Sequence, residues 1–281
     1  MARLSADYYG KSDVRLTKVV RTGDLHTLHE FGVRLLLGGE FTRVYTDGDN
    51  ASCVPTDTMK NTVYALAKSH EFDSPEAFGL ILAKHFVDEF PHVAWASAEI
   101  DATRWERIRV DGEDHLHAFQ IGGSGRRTVA VKTSRENGVS VKAGIAGLQV
   151  LKTTRSGFVG FIKDRYTTLP EVTDRIFATT INAEWDYGDL EIDFNATHDA
   201  ALTAILEIFS AHDSLAVQQT IFAIGEEILA RVPAVTTVSM TMPNQHRIPF
   251  NLTPLGLTND NDIFVTTSEP YGLIHGTVVR D

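Results

Sequence analysis

Strand-like content fills Val14–Val20 and Leu25–Phe41, and the turn-prone Thr22-Gly23-Asp24 splits the two runs. The apolar period then lengthens. Met59, Val63 and Leu66 recur at helical spacing within Thr58–Lys68. Ser74-Pro75-Glu76 opens a second helix: Ser can cap the free N–H groups, and Pro loses nothing in a first turn whose N–H is unpaired anyway. Phe78, Ile81, Leu82, His85 and Phe86 are predicted to line one face of it. Strand character returns over Val93–Ile108 and His115–Ile121.

After Val139 the pattern recurs. Val141–Val150 and Ile176–Tyr187 read as strands. Asn195–Ser210 reads as a helix with Leu202, Ile205, Leu206 and Phe209 on one face. Leu215–Ala230 reads as a second helix, and Ala234–Met242 and Leu273–Val279 as closing strands. Each half is thus strands, two consecutive helices, then strands. That order predicts an α+β tandem duplication, residues 1–137 and 138–281, with antiparallel sheets and helix pairs on one face. Open sheets leave edges, which self-association can cover.

Composition narrows the function classes. The 281 residues are 43% apolar and 22% charged, enough for a sizeable core. Lys and Arg number 26 against 37 Asp and Glu, a net charge of −11, which argues against non-specific nucleic-acid binding but not against a small anion held in a local field. No run approaches the apolar length of a membrane helix, and MARLSADYYGKSD has no apolar signal core. The single cysteine, Cys53, excludes a disulfide framework and fits a reducing compartment. A cytoplasmic protein without a membrane partner is expected.

Candidate chemistry is thin when taken piece by piece. His115 and His117 in DHLHAF share one face of a strand, but zinc needs a third ligand and none stands out; His26 and His29 are a weaker pair. Gly122-Gly123-Ser124-Gly125 lies between strand patterns with no helix behind it and reads as a hairpin turn, not a phosphate cradle. Cys53 lacks a Cys or His companion and reads as a buried or idle thiol. Lys11 reads as a solvated lysine, Pro55-Thr56-Asp57-Thr58 as a helix cap, and Met242–His246 as a turn. Ser156–Arg175 fits no regular element. Its aromatics, its Pro-bearing turn and its terminal arginine suit either a surface connection or a pocket wall.

Taken together, the pieces resemble the urate oxidase (uricase) family over essentially the whole chain. LQVLKTTRSGFVGFIKDRYTTLPEVTDR, Leu148–Arg175, fits that family's long signature. YGKSDVR, DNASCVPTDTMKNTVYALAK, LAVQQT, MPNQH and EPYGLI are similar to its other landmarks, in the same order. The resemblance implies two tunnelling-fold domains per chain, a homotetramer whose paired subunits close a barrel, and active sites shared between subunits. Phe158, Leu169, Arg175, Val217, Gln218, Asn244 and His246 would come from one subunit, and Lys11, Thr56 and Asp57 from its neighbour.

The implied reaction is oxidation of urate by O2 and water to 5-hydroxyisourate and hydrogen peroxide, with no metal or organic cofactor. Urate is a flat anion with alternating N–H and C=O groups. Phe158 suits its face, the Arg175 fork its anionic edge, and the Gln218 amide an N–H/C=O pair. The resemblance assigns Lys11, Thr56 and His246 to a proton relay, and Asn244 to holding O2 or the attacking water. Thr56, Asp57, Leu169 and Val217 complete the binding set. Three departures stand out: Gln245 where the family often has Lys, Pro170 where a longer polar residue is usual, and a chain that stops soon after Arg280. Two rival readings are a zinc-dependent purine or pterin hydrolase using His115 and His117, and a catalytically silent urate binder.

Overall fold

The computed structural model describes residues 2–281. The chain divides into two compact units: residues up to Gly144 with Asp186–His198, and Ile145–Trp185 with Asp199–Asp281.

In the first unit, β1 (Tyr9–Thr22) and β2 (Leu25–Gly39) form an antiparallel hairpin. Its register shifts between Lys11 and Val14, and Asp13 takes a positive φ of 55°. A short helix α1 (Thr42–Thr46) and a 3-10 turn (Asn50–Ser52) lead to α2 (Thr56–Ser69) and α3 (Pro75–Glu89). The strand β3 (Val93–Ala102) pairs antiparallel with β2. Next, β4 (Trp105–Val110) and β5 (Glu113–Ile121) form their own two-stranded sheet. The main sheet resumes with β6 (Arg126–Ser134), antiparallel to β3, and β7 (Gly138–Lys152); its order is β1-β2-β3-β6-β7.

Inward positions of β2 and β3 (Val33, Leu35, Leu37, Ala96, Ala98, Ile100) and the α3 stripe Phe78, Leu82 and Phe86 are all buried. Each large apolar side chain so buried contributes ~1.5–3 kcal/mol, which is why this helix lies on this face. One ion pair sits inside that unit. Glu76 is fully buried and takes a two-pronged contact from Arg127, at 3.1 and 2.6 Å, while Arg127 also donates to Asn195 Oδ1 at 2.7 Å. Ser74 caps α3 through the Ala77 N–H, as its sequence predicts.

The second unit contains the end of β7, then β8 (Phe177–Tyr187), the greater part of α4 (Phe194–Ala211) and α5 (Val217–Arg231). The strand β9 (Val235–Thr241) follows, then the two-stranded ribbon of β10 (Arg247–Pro249) and β11 (Phe264–Thr266). Last is β12 (His275–Val279), antiparallel to β9. Sheet order here is β7-β8-β9-β12. Helix α5 packs on β9 and β12 through Ile221, Ile224 and Ile228, all buried. Each unit is therefore a sheet backed by helices, an α+β arrangement. None of the helices among the described residues is long and apolar enough to cross a membrane.

Several expectations need correcting. Val93–Ile108 is not one strand: the chain breaks after Ala102 and starts a new sheet at Trp105. The strands β6, β10 and β11 and the helix α1 lie outside the predicted elements. Leu206 is 41% exposed and lies off the buried stripe of Leu202, Ile205 and Phe209. Gly122–Gly125 is no hairpin turn, because β5 pairs with β4 whereas β6 pairs with β3; it is a crossover between two sheets.

Candidate active site

Lys11, Thr56 and Asp57 all belong to the first unit. Lys11 sits on β1 at the register shift, preceded by Gly10, where a Cβ would come within 1.7 Å of the Leu35 carbonyl oxygen. Only glycine lets β1 lie that close to β2 just before the lysine. Thr56 and Asp57 are the first two residues of α2. The cap position is Pro55, no side chain caps the helix, and so neither residue is spent as the cap its sequence suggests. Asp57 accepts from Lys60 Nζ at 2.5 Å and Asn61 Nδ2 at 2.9 Å. The hydrogen bond and charge of Lys60 hold its carboxyl below the usual carboxylate range, and the charge of Lys11 adds to that shift. Lys11 and the first turn of α2 are thus within electrostatic reach of each other.

The approach of β1 to α2 is fixed by Tyr9. Its phenol oxygen accepts from the Val54 N–H at 2.7 Å and donates to the Val54 carbonyl at 3.1 Å. Tyr64 on α2 adds a bond to the Arg15 carbonyl at 2.9 Å.

Phe158, Leu169, Arg175, Val217, Gln218, Asn244 and His246 all belong to the second unit. The segment from Ser156 to Arg175 is a loop closed on itself by main-chain bonds. Phe158 and Val172 exchange both of theirs, at 2.7 and 3.1 Å, and the Arg175 N–H donates to the Ser156 carbonyl at 2.7 Å. Asp174 fastens the start: its carboxylate accepts from the Arg155 N–H at 2.7 Å, the Ser156 N–H at 3.4 Å and Thr154 Oγ1 at 2.8 Å. Those bonds pull its carboxyl below the ordinary range and support the positive φ of 61° at Arg155. Gly157 is buried against the Thr173 carbonyl oxygen, which an added Cβ would meet at 3.0 Å.

The result is a short stack. Phe161 lies parallel to Phe158 at 4.8 Å between centroids, and the Arg175 guanidinium is 5.7 Å from the Phe158 ring. Burial lowers the pKa of Arg175 from its ordinary value. Leu169 stands 52% exposed beyond the Asp164–Thr167 turn.

The same loop is sewn to the start of α5. Gly157 donates to the Ser214 carbonyl and Ser214 to the Arg155 carbonyl, each at 2.9 Å. Ser214 Oγ accepts from Thr220 Oγ1 at 2.8 Å and from Lys152 Nζ at 3.0 Å. Val217 and Gln218 are the first two residues of α5, whose Ala216 cap uses no side chain. Their N–H groups precede the first intrahelical bond, from Thr220 to Ala216, so this end carries free donors and the positive end of the helix dipole. A helix start without a side-chain cap, beside a stacked ring and a guanidinium, suits a planar anion.

Asn244 is not on a free turn. Its main chain bridges both Thr179 and Gly272, its N–H donating to the Gly272 carbonyl at 2.8 Å, while Gln245 donates to Ala178 at 2.9 Å. Gln245 Nε2 also reaches Thr180 Oγ1 at 2.9 Å. This pins the Asn244–His246 segment beside the start of β8, two residues after Arg175. The His246 carbonyl accepts from the Thr267 N–H at 3.1 Å.

The other candidates fare differently. His115 and His117 meet edge-on at 4.6 Å with His26 5.6 Å from His117, but no three potential ligands converge on a common point among the described residues. His29 is packed against Phe31 and Phe72, and burial lowers its pKa. Cys53 is half-buried and free. Tyr9, Asp174, Lys152 and Ser214 were not among the expected site residues. Tyr9 lies in the YGKSDVR stretch and Lys152 and Asp174 lie within Leu148–Arg175, so the resemblance marked their segments but not their roles; Ser214, just before LAVQQT, carried no signal.

A family model described as Uricase matches residues 8–132 and again 141–275. A uricase of Arthrobacter globiformis is 41% identical over 99% of this chain and 90% of its own, and one of Dictyostelium discoideum is 38% identical over 100% and 98%. The crystal structure of the Arthrobacter globiformis uricase superposes with a TM-score of 0.95 at 40% identity, covering 100% of this chain and 96% of that one. A uricase structure from "Bacillus fastidious" gives 0.85 at 25% identity over 97% and 93%. With the match running through both units and all the segments just described, the chain belongs to the uricase family, the urate oxidases.

Proposed function

We propose that the protein oxidises urate with O2 and water to 5-hydroxyisourate and hydrogen peroxide, without metal or organic cofactor. Urate gives up two electrons and two protons to O2, and water supplies the new hydroxyl, so that one O2 and one water yield one hydroxyisourate and one peroxide. The observation that carries this reading is the set of groups each unit offers: one presents Lys11 on β1 and Thr56 at a helix start that no side chain caps, and the other presents a ring, a guanidinium and a second such helix start.

In this reading Phe158 stacks on urate, Arg175 and Gln218 grip its edge, and Val217, Leu169 and the Thr56-Asp57 turn frame it. Lys11, Thr56 and His246 relay protons, Thr56 because a hydroxyl both donates and accepts. Asn244 holds O2 or the attacking water. The chain folds as two tunnelling-fold domains, residues 1–137 and 138–281, and assembles as a homotetramer whose paired subunits close a barrel. Each site takes Lys11, Thr56 and Asp57 from one subunit, and the clamp together with His246 from another. Exposed apolar side chains such as Ile162, at 95%, and Leu273, at 68%, support an assembly that covers them. Metal-stripped protein mixed with urate in air is expected to consume urate and O2 and release peroxide in equal amounts. A rate that requires added metal or flavin would refute the reading.

A further inference from the structure

We propose that Tyr9 is a positioning residue for the proton relay: its phenol, bonded to both polar groups of Val54, sets the separation of Lys11 and Thr56. Lys11 lies two residues beyond Tyr9 on β1, and Thr56 lies two residues beyond Val54 at the first turn of α2. The two-way contact, 2.7 Å from the Val54 N–H and 3.1 Å to its carbonyl, is the cross-link nearest both residues.

The phenol itself is held firmly. Its ring meets Phe41 edge-on at 4.9 Å, and Phe41 and Val54 are both buried. Burial, reinforced by Cys53, raises the Tyr9 pKa well above its ordinary value. The hydroxyl therefore keeps its proton at neutral pH, and with it the bond donated to the Val54 carbonyl. Gly10 presses the strand against Leu35 just after it, which leaves little slack before Lys11.

The proposal rests on reading Lys11 and Thr56 as the relay, and its test separates the two. Tyr9→Phe keeps the ring and removes both bonds. It is expected to lower kcat roughly ten- to hundredfold, the scale of an ~1 Å misplacement, and to raise the urate half-saturation by a much smaller factor, since Thr56 and Asp57 also frame the substrate. Urate titrated without O2 should lose affinity by no more than that smaller factor. In a Lys11→Met background, Tyr9→Phe should cost nothing more, since it acts through Lys11. Parental kcat in Tyr9→Phe, a half-saturation that rises in step with the lost rate, or a full further loss in the Lys11→Met background would each overturn the proposal. Parental kcat in Lys11→Met alone would overturn the relay reading and this proposal with it. If Tyr9→Phe does not fold, Phe41→Leu, which keeps the phenol but loosens its seat, should show the same selective loss of kcat; equal loss in binding would count against it.

Discussion

Arg175 shows how one side chain is prepared for a ligand. Its main chain is bonded to Ser156, its neighbour Asp174 fastens the preceding turn, and its guanidinium stands 5.7 Å from the Phe158 ring. A planar fork so held can meet an anionic edge with two parallel bonds, whereas a lysine at that place supplies a point charge. Arg175→Lys is therefore expected to raise the urate half-saturation concentration. A hydrogen bond to a charged group contributes about 1.5–3 kcal/mol, so the change should be roughly tenfold or more. Steady-state kinetics on the variant measure it, and an unchanged half-saturation would show that Arg175 does not grip the substrate. None of this was legible from the residue alone. A lone lysine, a Thr-Asp helix start and a Pro-Asn turn have ordinary explanations, and Lys11, Thr56 and Asn244 became candidates only through their resemblance to a family motif. Tyr9 stands in the same YGKSDVR stretch as Lys11, but its role stayed hidden because it consists of two bonds to the main chain 45 residues away.

Elements were read well where burial imposes a period and poorly where it does not. The helix α3 carries Phe78, Leu82 and Phe86 to the core, and its cap is the predicted serine. In contrast, β6 turns only Val129 and Val131 fully inward between charged residues, and the three-residue strands β10 and β11 are too short to show any period. Nor does periodicity reveal a buried charge. Glu76 on α3 and Arg127 on β6 pair inside the first unit, so Glu76→Gln would leave a guanidinium largely buried without its counter-charge. That change should destabilise the protein by about 3–5 kcal/mol, as read from denaturant unfolding. A shift below 1 kcal/mol would mean that solvent reaches the pair.

His198 on α4 predicts a pH effect. Burial, with Arg127 and Arg104 nearby, lowers its pKa from the ordinary 6.5 to about 3. The folded state thus resists the proton that the unfolded chain takes up. The stability this contributes is whole above about pH 6.5 and is lost progressively as pH falls towards 3. In His198→Gln, which cannot charge, the melting temperature should fall less steeply than in the parent between pH 6.5 and 4.5. Parallel curves would contradict this.

At the scale of the whole molecule, the tandem pattern of strands, helix pair and strands was visible in sequence because it repeats, and the family match falls twice along the chain in the same way. What a single chain does not display is how the two groups of residues cooperate. Lys11 and Thr56 lie in one compact unit and Phe158, Arg175, Gln218 and His246 in the other. In the proposed function Lys11 and Thr56 from one subunit meet His246 and the clamp from another, which makes assembly a condition of catalysis. The most direct test is to mix two inactive variants, Thr56→Ala and Arg175→Ala, under conditions that let subunits exchange. Mixed oligomers should contain sites with both residues intact and regain a fraction of the urate-oxidising rate; verified mixed oligomers that stay inactive, or dilute monomers that are fully active, would contradict it.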